Sequence, residues 1–342
     1  MSPSRSTPSS TLIIAEAGVN HDGDLDRAFK LIGAAAAAGA DLVKFQSFRT
    51  ELNISRSAPK AQYQIEAVGS DLSQYDMVKA LELTYEQHVA LKAECEVQGI
   101  KFFSTGFDLP SMEMLLELGI DRIKVPSGEI TNLPFLRFVA RQGLPVILST
   151  GMANLGEIET AMWILIEGGV ALEDLTVLHC NTEYPTPMRD VNLRAMVNIG
   201  AALNVAIGYS DHTQGIELPV AAVALGATVI EKHFTMDRTL VGPDHKASLE
   251  PTQLKAMVSA IRNVELALAG DGVKRPSPSE IGNRAVARKS LVALTAIRAG
   301  EVYTPANVGP KRPGTGLSPM RWDDVMGQVA RREFATDELI EL

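Results

Sequence analysis

Between residues 11 and 270, short runs of apolar and β-branched residues alternate with longer segments that carry apolar residues at helical spacing. The first of these longer segments places Ala28, Leu31, Ile32 and Ala35 on one face of a predicted helix. The short runs between such segments predict eight β-strands. They are Leu12–Ala17, Leu42–Gln46, Lys101–Ser104, Arg122–Val125, Val146–Ser149, Thr176–His179, Val205–Gly208 and Thr228–Lys232.

Strands that alternate with helices imply parallel pairing and right-handed crossover connections. Eight successive strand–helix units predict an α/β fold of the (β/α)8 TIM-barrel class, with the functional site at the carboxyl ends of the strands. An open, doubly wound sheet is the alternative. The barrel is favoured because no glycine-rich fingerprint follows the first predicted strand. We therefore expect residues 11–270 to form a closed barrel.

The segments outside this pattern differ from it in composition. Residues 1–10 are rich in Ser and Pro and are expected to be a flexible tail, and residues 271–284 are expected to be a linker because of their Pro, Ser and charged residues. In residues 285–342, short apolar runs between Gly and Pro predict a small C-terminal domain of mostly short strands and turns. Within the barrel, the polar insertion Arg49–Ser73 is expected to form a loop over the site.

Composition narrows the class of protein. The 342 residues carry a net charge of −9 and no basic stripe, so a nucleic-acid partner is not expected. No apolar run is long enough to span a membrane, and the N-terminal residues lack the apolar core of a signal peptide. Only Cys95 and Cys180 occur, without CxxC spacing, so neither a disulfide framework nor a structural zinc site is expected. These features predict a cytoplasmic protein.

Polar residues follow nearly every predicted strand, and some charged residues lie within strands. Lys44 and Lys124 are each flanked by apolar residues, so both are expected to point into the barrel mouth. Two ion pairs, with Glu16 and Glu129, are the alternative interpretation. Lysines together with Ser and Thr hydroxyl groups form a pocket suited to phosphate or carboxylate. The other polar residues at these strand ends include Gln46, Thr105, Ser127, Ser149, Asn181, Tyr184 and Ser210.

Two histidines close consecutive predicted strands, His212 after Tyr209-Ser210-Asp211 and His233 after Glu231-Lys232. Neutral imidazole is a common ligand of divalent transition metals, so the pair is a candidate metal site, with acids such as Glu16 and Asp244 nearby. Ordinary packed or capping histidines are the alternative interpretation. An anion pocket beside a metal indicates chemistry on a phosphorylated, carbonyl-bearing small molecule.

The chain resembles the bacterial sialic acid synthase family, which condenses phosphoenolpyruvate with N-acetylmannosamine. The resemblance extends from about Ile13 to the C-terminus, and the last domain is similar to the antifreeze-like (SAF) domain of that family. The matching stretches are Ile14–His21, Val43–Gln46, Lys124–Glu129, Ser149–Met152, His179–Pro185, Gly208–His212, Ile230–Phe234, Gly242–His245, Val286–Ser290 and Lys311–Gly314.

The resemblance implies roles for matching residues. His212 and His233 would bind a divalent metal, with Mn²⁺ preferred and Mg²⁺ or Co²⁺ as alternatives. Arg312 would reach the barrel of a partner subunit in a domain-swapped homodimer and hold the acetamido group of the acceptor. The residues implied around the phosphate and carboxylate of phosphoenolpyruvate are Lys44, Thr105, Lys124, Ser149, Asn181 and Ser210, and Ser127 is expected to be a further substrate-binding residue. Those implied for the amino-sugar acceptor are Gln46, Glu129, Tyr184 and Asp244, and the catalytic base is left open among Glu16, Glu129 and Asp244.

Three alternatives remain at the sequence level. A 2,4-diacetamido-trideoxy hexose could replace N-acetylmannosamine as acceptor, which would make the product legionaminic acid; the segment Ala58–Gln64 is expected to touch the acceptor, and N-acetylmannosamine is favoured. A Schiff-base aldolase would use Lys44 or Lys124 as nucleophile. A non-enzymatic ice- or glycan-binding protein is least favoured, because it would not need polar residues at every strand end.

Overall fold

The computed structural model describes residues 10–69 and 71–342, so most of the predicted tail lies outside the described residues. The chain divides into two compact units, of which the first ends at Ala269 and the second comprises Gly270–Leu342.

The first unit contains an eight-stranded parallel sheet with the order β3-β2-β1-β8-β7-β6-β5-β4. Strands β3 and β4 lie side by side without a hydrogen-bonded ladder, so the sheet forms a nearly closed barrel. This arrangement confirms the predicted (β/α)8 class. The strands are β1 Leu12–Gly18, β2 Leu42–Ser47, β3 Lys101–Gly106, β4 Ile123–Val125, β5 Val146–Ser149, β6 Leu175–Cys180, β7 Ala206–Asp211 and β8 Val229–His233.

Several helices around this barrel begin at a residue whose side chain caps the first turn. Thr84 and Gln87 form a reciprocal capping box at the start of α5, as their spacing predicts. None of the described helices is long and apolar enough to cross a membrane. The helices of this unit are α1 Leu25–Ala38, α2 Thr50–Asn53, α3 Gln62–Val68, α4 Gln74–Lys79, α5 Tyr85–Gln98, α6 Leu109–Glu117, α7 Leu133–Ala140, α8 Leu155–Glu167, α9 Arg194–Leu203, α10 Glu217–Ala224 and α11 Pro251–Leu268.

The barrel interior is filled in two layers because alternate residues of a strand share one face. An apolar layer consists of one residue from each of six strands: Ile14, Leu42, Phe103, Ile147, Leu178 and Val229. Two residues further along five of these strands come Glu16, Lys44, Thr105, Ser149 and Glu231, all of them buried. The apolar layer therefore forms a floor, and the polar layer above it faces the carboxyl-end mouth.

The predicted loop Arg49–Ser73, in the insertion between β2 and β3, contains the short helices α2 and α3, and α4 follows directly after it. Ser73 accepts a hydrogen bond from the backbone of Asp76 and so caps α4. Apolar residues of the insertion region also pack with residues from other loops at this end of the barrel. Val19, Phe48 and Leu81 are buried together there, with Val78 and Phe107 packed against them. Burial of these side chains stabilises the helices, which are too short to be stable alone.

The second unit has its own small core around the antiparallel strands β9 Ser290–Ala293 and β10 Val308–Lys311. Two helices belong to it, α12 Pro278–Ala287 and α13 Trp322–Val325. The predicted linker 271–284 is therefore helical from residue 278 onward. The reason is local, because Ser277 and Glu280 form a capping box and Pro278 occupies the first helical turn.

Candidate active site

A pocket of about 210 Å³ opens at the carboxyl ends of the barrel strands. It lies directly above the apolar floor, where the strands bring side chains from distant parts of the sequence together. Most predicted site residues line it. These are Glu16, Lys44, Gln46, Thr105, Lys124, Ser127, Ser149, Tyr184, Ser210, His212 and His233.

Four buried charges form a continuous network at the base of this pocket. Lys44 Nζ lies 2.7 Å from Glu16 Oε2 and 3.3 Å from Glu231 Oε2. Lys124 Nζ lies 3.1 Å from Glu231 Oε1. Two ammonium groups thus share two carboxylates, and Glu231 bridges the lysines. Such charges are retained away from water only when they are paired, as they are here.

Burial and these ion pairs set the protonation of the network. Burial raises the pKa of Glu16 to about 7; Lys44 opposes the shift and Glu231 adds to it. Burial would also raise the pKa of Glu231, but Lys124 and Lys44 hold that pKa well below its usual range. Burial lowers the pKa of Lys124, whereas the two carboxylates keep the pKa of Lys44 above its ordinary value despite burial. A Schiff-base nucleophile must be a neutral amine, so the direction of these shifts disfavours Lys44 but not Lys124 as the nucleophile of the aldolase alternative.

Hydroxyl groups surround the two lysines. Thr105 Oγ1 accepts a hydrogen bond of 2.8 Å from Lys44, and Ser210 Oγ donates one of 2.8 Å to Glu231. The buried Ser149 Oγ has no hydrogen-bond partner among the described residues. A buried hydroxyl without a partner is costly unless a ligand satisfies it. Together with the ammonium groups, these hydroxyls can bind a small anion such as a phosphate or a carboxylate.

The two histidines lie side by side above the network, with ring centroids 5.4 Å apart. Tyr184 stacks on His212 at 4.1 Å and meets His233 edge-on at 5.6 Å. Burial lowers the pKa of His212 to about 4, and burial together with His212 lowers the pKa of His233 well below its ordinary value. Both imidazoles are therefore neutral at pH 7, which is the form that binds metals.

The donor set fits a divalent ion held by two imidazoles. His212 Nδ1 donates to the backbone carbonyl of Asn181, which leaves Nε2 as the lone-pair nitrogen, and this is the usual arrangement of a metal-binding histidine. The buried His233 Nδ1 has no hydrogen-bond partner among the described residues. Within residues 10–69 and 71–342, no three His, Cys, Asp or Glu side chains converge as ligands. Substrate oxygens or water would have to complete the coordination of an ion here.

Asp244 lies beside the histidines and is held by a second set of contacts. Its carboxylate is 3.7 Å from His233 Nδ1, and burial raises its pKa to about 6 although His245 opposes this. The neighbouring His245 is fully buried, contacts Asp22 at 3.1 Å and bonds Thr235 at 2.8 Å. These contacts anchor the loop after β8 to the loop after β1, and so fix the position of Asp244.

The comparisons with known proteins agree with this architecture. The model of the NeuB family matches residues 31–274, and that of the SAF domain matches residues 288–341. The chain belongs to the NeuB family. The resemblance to sialic acid synthases, inferred from the sequence motifs, is thereby confirmed, as is the SAF domain at the C-terminus.

Individual members of the NeuB family are similar over nearly the whole chain. The N,N'-diacetyllegionaminic acid synthase of Campylobacter jejuni is 52% identical over 330 residues, which cover 96% of this chain and 98% of that protein. The N,N'-diacetyllegionaminic acid synthase of Legionella pneumophila is 44% identical over 325 residues, covering 94% and 91%. The crystal structure of the N-acetylneuraminic acid synthetase of Leptospira borgpetersenii is 38% identical, with a TM-score of 0.69 over 80% of this chain and 90% of that one.

Four predicted residues lie outside the pocket of this NeuB-family barrel. Glu129 is half-buried and bonds Asn132, and it makes no ion pair with Lys124. The backbone carbonyl of Asn181 accepts a hydrogen bond from His212, and the side chain of Asn181 accepts one from the Glu183 backbone N–H. Asp244 lines an adjacent cavity. Arg312 belongs to the second unit, where it is exposed at the end of β10.

Glu231 lines the pocket, although the sequence motifs predict no role for it. It precedes the more conspicuous Lys232 and His233. The alternation of a strand carries the signal: His233 faces the mouth, so Glu231 must face it as well, whereas Lys232 must point away. In agreement, Lys232 pairs with Asp211 at 2.6 Å and is absent from the pocket lining.

Proposed function

We propose that this protein is a phosphoenolpyruvate-dependent nonulosonic acid synthase that forms N,N'-diacetyllegionaminic acid. Phosphoenolpyruvate, a 2,4-diacetamido-2,4,6-trideoxy hexose and water would give the nine-carbon keto acid and phosphate. The observation that carries the proposal is the buried lysine pair, with its ring of hydroxyl groups, next to two neutral imidazoles. The named activities of the relatives at 52% and 44% identity support the product.

In this proposal the lysine network binds the enol phosphate. Lys44 and Lys124, with Thr105, Ser149 and Ser210, would hold the phosphate and carboxylate groups. The ammonium groups would also favour departure of the phosphate, which leaves when the C–O bond at the former enol carbon breaks. Since Lys44 and Lys124 are already oriented by carboxylates, little reorganisation would accompany binding.

Glu16 is the carboxylate best placed to act during condensation. The enol methylene carbon would form a bond to the aldehyde carbon of the acceptor, leaving positive character at the carbon that bears the phosphate. Glu16 lines the pocket, and its pKa of about 7 suits a group that stabilises this charge and takes a proton from the attacking water. Glu129 does not line the pocket, and Asp244 lies on the acceptor side.

His212 and His233 would hold the divalent ion, for which we propose Mn²⁺. When bound, the ion would supply Lewis-acid polarisation of the acceptor aldehyde. We expect His212→Ala or His233→Ala to abolish turnover while the protein stays folded. Phosphate release and the far-UV circular dichroism spectrum are the measurements. Full activity of either variant in the presence of a chelator would refute the metal role.

The proposed acceptor departs from the one that the motifs alone favour. The motifs favour N-acetylmannosamine, and the two N,N'-diacetyllegionaminic acid synthases support the diacetamido sugar instead. The test is phosphate release from phosphoenolpyruvate with each acceptor, with Mn²⁺ and with chelator. We expect metal-dependent release that is fastest with the diacetamido sugar and matches keto-acid formation. Faster phosphate release with N-acetylmannosamine would instead indicate that the product is N-acetylneuraminate.

The domain-swapped homodimer remains part of the proposal, with Arg312 of each SAF domain acting at the barrel of the partner. It predicts that two inactive variants complement each other. Chains carrying Arg312→Ala and chains carrying His212→Ala, coexpressed with different affinity tags and purified as heterodimers, should contain one intact mouth and recover up to half of the wild-type turnover. If Arg312 acts on its own barrel, purified heterodimers will stay inactive.

A further inference from the structure

A second cavity of about 250 Å³ lies next to the catalytic pocket, under the insertion between β2 and β3. The two cavities share Gln46, Tyr63, Phe107 and Tyr184 in their linings, so they adjoin each other. Tyr63, from α3, packs on Tyr184 with ring centroids 5.1 Å apart. A molecule whose reacting carbon lies at the histidines could therefore extend its other end past these two rings.

The far side of this second cavity is mainly apolar. Its wall includes Val19, Phe48 and Leu81, which are buried together, and the side chain of Val78 that packs against them. Such a wall favours methyl and acetyl groups over hydroxyl groups, because a hydroxyl placed against it loses its hydrogen bonds to water.

One polar atom of this cavity has no partner. Gln74, at the start of α4, lines the cavity, and its Oε1 is buried without a hydrogen-bond partner among the described residues. The other amides of the lining, from Gln46, Asn53 and Gln64, are not in this state, and Gln64 Oε1 already accepts a bond from the Ala61 backbone. A buried carbonyl without a donor costs free energy, which a ligand N–H group would offset.

We propose that this second cavity selects the acceptor by its C4–C6 end. Gln74 Oε1 accepts the N–H of the 4-acetamido group, and the apolar wall contacts the acetyl methyl and the C6 methyl. The inference rests on the proposed function, because it takes the aldehyde end of a diacetamido-trideoxy sugar to lie at His212 and His233. It makes Gln74 a specificity-determining residue of the insertion.

N-acetylmannosamine fits the same space less well. It carries hydroxyl groups where the diacetamido sugar has an acetamido group and a methyl group. A hydroxyl at C6 would lie against Val78 and Leu81 without a partner, whereas a methyl group there is favourable. The 4-hydroxyl can donate to Gln74, but it lacks the acetyl group that would fill the cavity.

The test compares kcat/KM for both acceptors in the metal-loaded full-length enzyme. Gln74→Leu keeps the side-chain size but removes the acceptor atom. We expect it to lower kcat/KM for the diacetamido sugar about tenfold more than that for N-acetylmannosamine, mainly through KM. Gln62→Leu is the matched control, because Gln62 is exposed on α3 and lines neither cavity. It should leave both values unchanged.

A second variant tests the space itself. Val78→Phe adds volume to the apolar wall and should lower kcat/KM for the diacetamido sugar by about tenfold or more, with a smaller loss for N-acetylmannosamine. If the wild type prefers the diacetamido sugar but both variants affect the two acceptors equally, the inference is wrong and the proposed function stands. If the wild type prefers N-acetylmannosamine, the proposed acceptor and the inference both fail.

Discussion

The two ends of the barrel carry lysine–carboxylate ion pairs in opposite surroundings. At the carboxyl end, the side chains of Lys124 and Glu231 are 4% and 5% exposed. At the amino end, Lys101 begins β3 and pairs at 2.9 Å with Asp121, which precedes β4, and these side chains are 66% and 50% exposed. The distances are similar, but only the first pair has been removed from water.

This difference in burial separates ion pairs that need no functional explanation from ion pairs that do. An exposed pair contributes about 0–1 kcal/mol and needs no function to account for it. A buried pair adds little net stability over apolar residues of the same volume, because desolvation offsets the attraction. The mouth of the barrel thus holds an arrangement that stability alone does not favour, and anion binding gives a reason for it.

Removal of the bridging carboxylate should have the largest effect. Glu231→Gln leaves Lys44 and Lys124 with only Glu16 as a counterion, so we expect a loss of about 3–5 kcal/mol in the free energy of unfolding. We also expect kcat/KM for phosphoenolpyruvate to fall at least about a hundredfold, since the lysines lose their orientation. Urea unfolding and steady-state kinetics measure the two effects.

Glu96→Gln is the control for this variant, because it is the same substitution at an exposed position of α5. It should change the free energy of unfolding by less than about 0.5 kcal/mol. A Glu231→Gln enzyme with the stability and kcat/KM of the control would show that the mouth network behaves like the amino-end pair.

The comparison also explains what the sequence could predict. The eight strands were predictable because both faces of a barrel strand are buried at their centres, which gives short apolar runs. Strand ends were less predictable: β7 was expected to end at Gly208 but continues to Asp211. In this extension of β7, polar residues such as Ser210 still pair with the neighbouring strands. Their side chains therefore point into the barrel mouth and do not belong to a loop.

Two features were not predictable from the sequence pattern alone. They are the orientation of the adjacent charged residues of β8 and the structure of the insertion between β2 and β3. Glu231 and Lys232 lie side by side in sequence, and which one faces the mouth follows only when His233 is known to face it, as the register of β8 shows. The helices of the insertion depend on contacts with Val19 and Phe107, which are remote in sequence. Their amide and apolar side chains give no pattern that predicts a cavity.

A second buried ion pair lies outside the pocket, and its removal should affect stability alone. Lys232 and Asp211 are fully buried and lie 2.6 Å apart, but neither lines the pocket. Lys232→Met leaves the Asp211 carboxylate buried without its counterion, so we expect a loss of about 3–5 kcal/mol in the free energy of unfolding. At a temperature where the variant is folded, KM for phosphoenolpyruvate should change no more than about twofold.

The outcome distinguishes burial from function as the source of the effect. If Lys232→Met raises KM for phosphoenolpyruvate as much as Glu231→Gln does, charge burial near the mouth disturbs the site in general, and the specific role of Glu231 is lost. Urea unfolding at pH 7 and an assay of both variants at the same temperature give the comparison.

The smallest effect on stability is expected for the exposed ion pair at the amino end of the barrel. The pH dependence of the free energy of unfolding should reveal it. Hydrogen bonds from Arg122 and Lys101 outweigh partial burial and lower the pKa of Asp121 to about 2. A depressed carboxyl pKa adds stability above the unfolded value of about 3.9, and this contribution disappears as the pH falls towards 2. Because the Asp121 side chain is half exposed, Asp121→Asn should cost no more than about 1 kcal/mol at pH 6 and nothing near pH 2. Urea unfolding of wild type and variant between pH 2 and pH 6 measures this difference in the free energy of unfolding. A difference that does not depend on pH would mean that packing, and not charge, stabilises this end of the barrel.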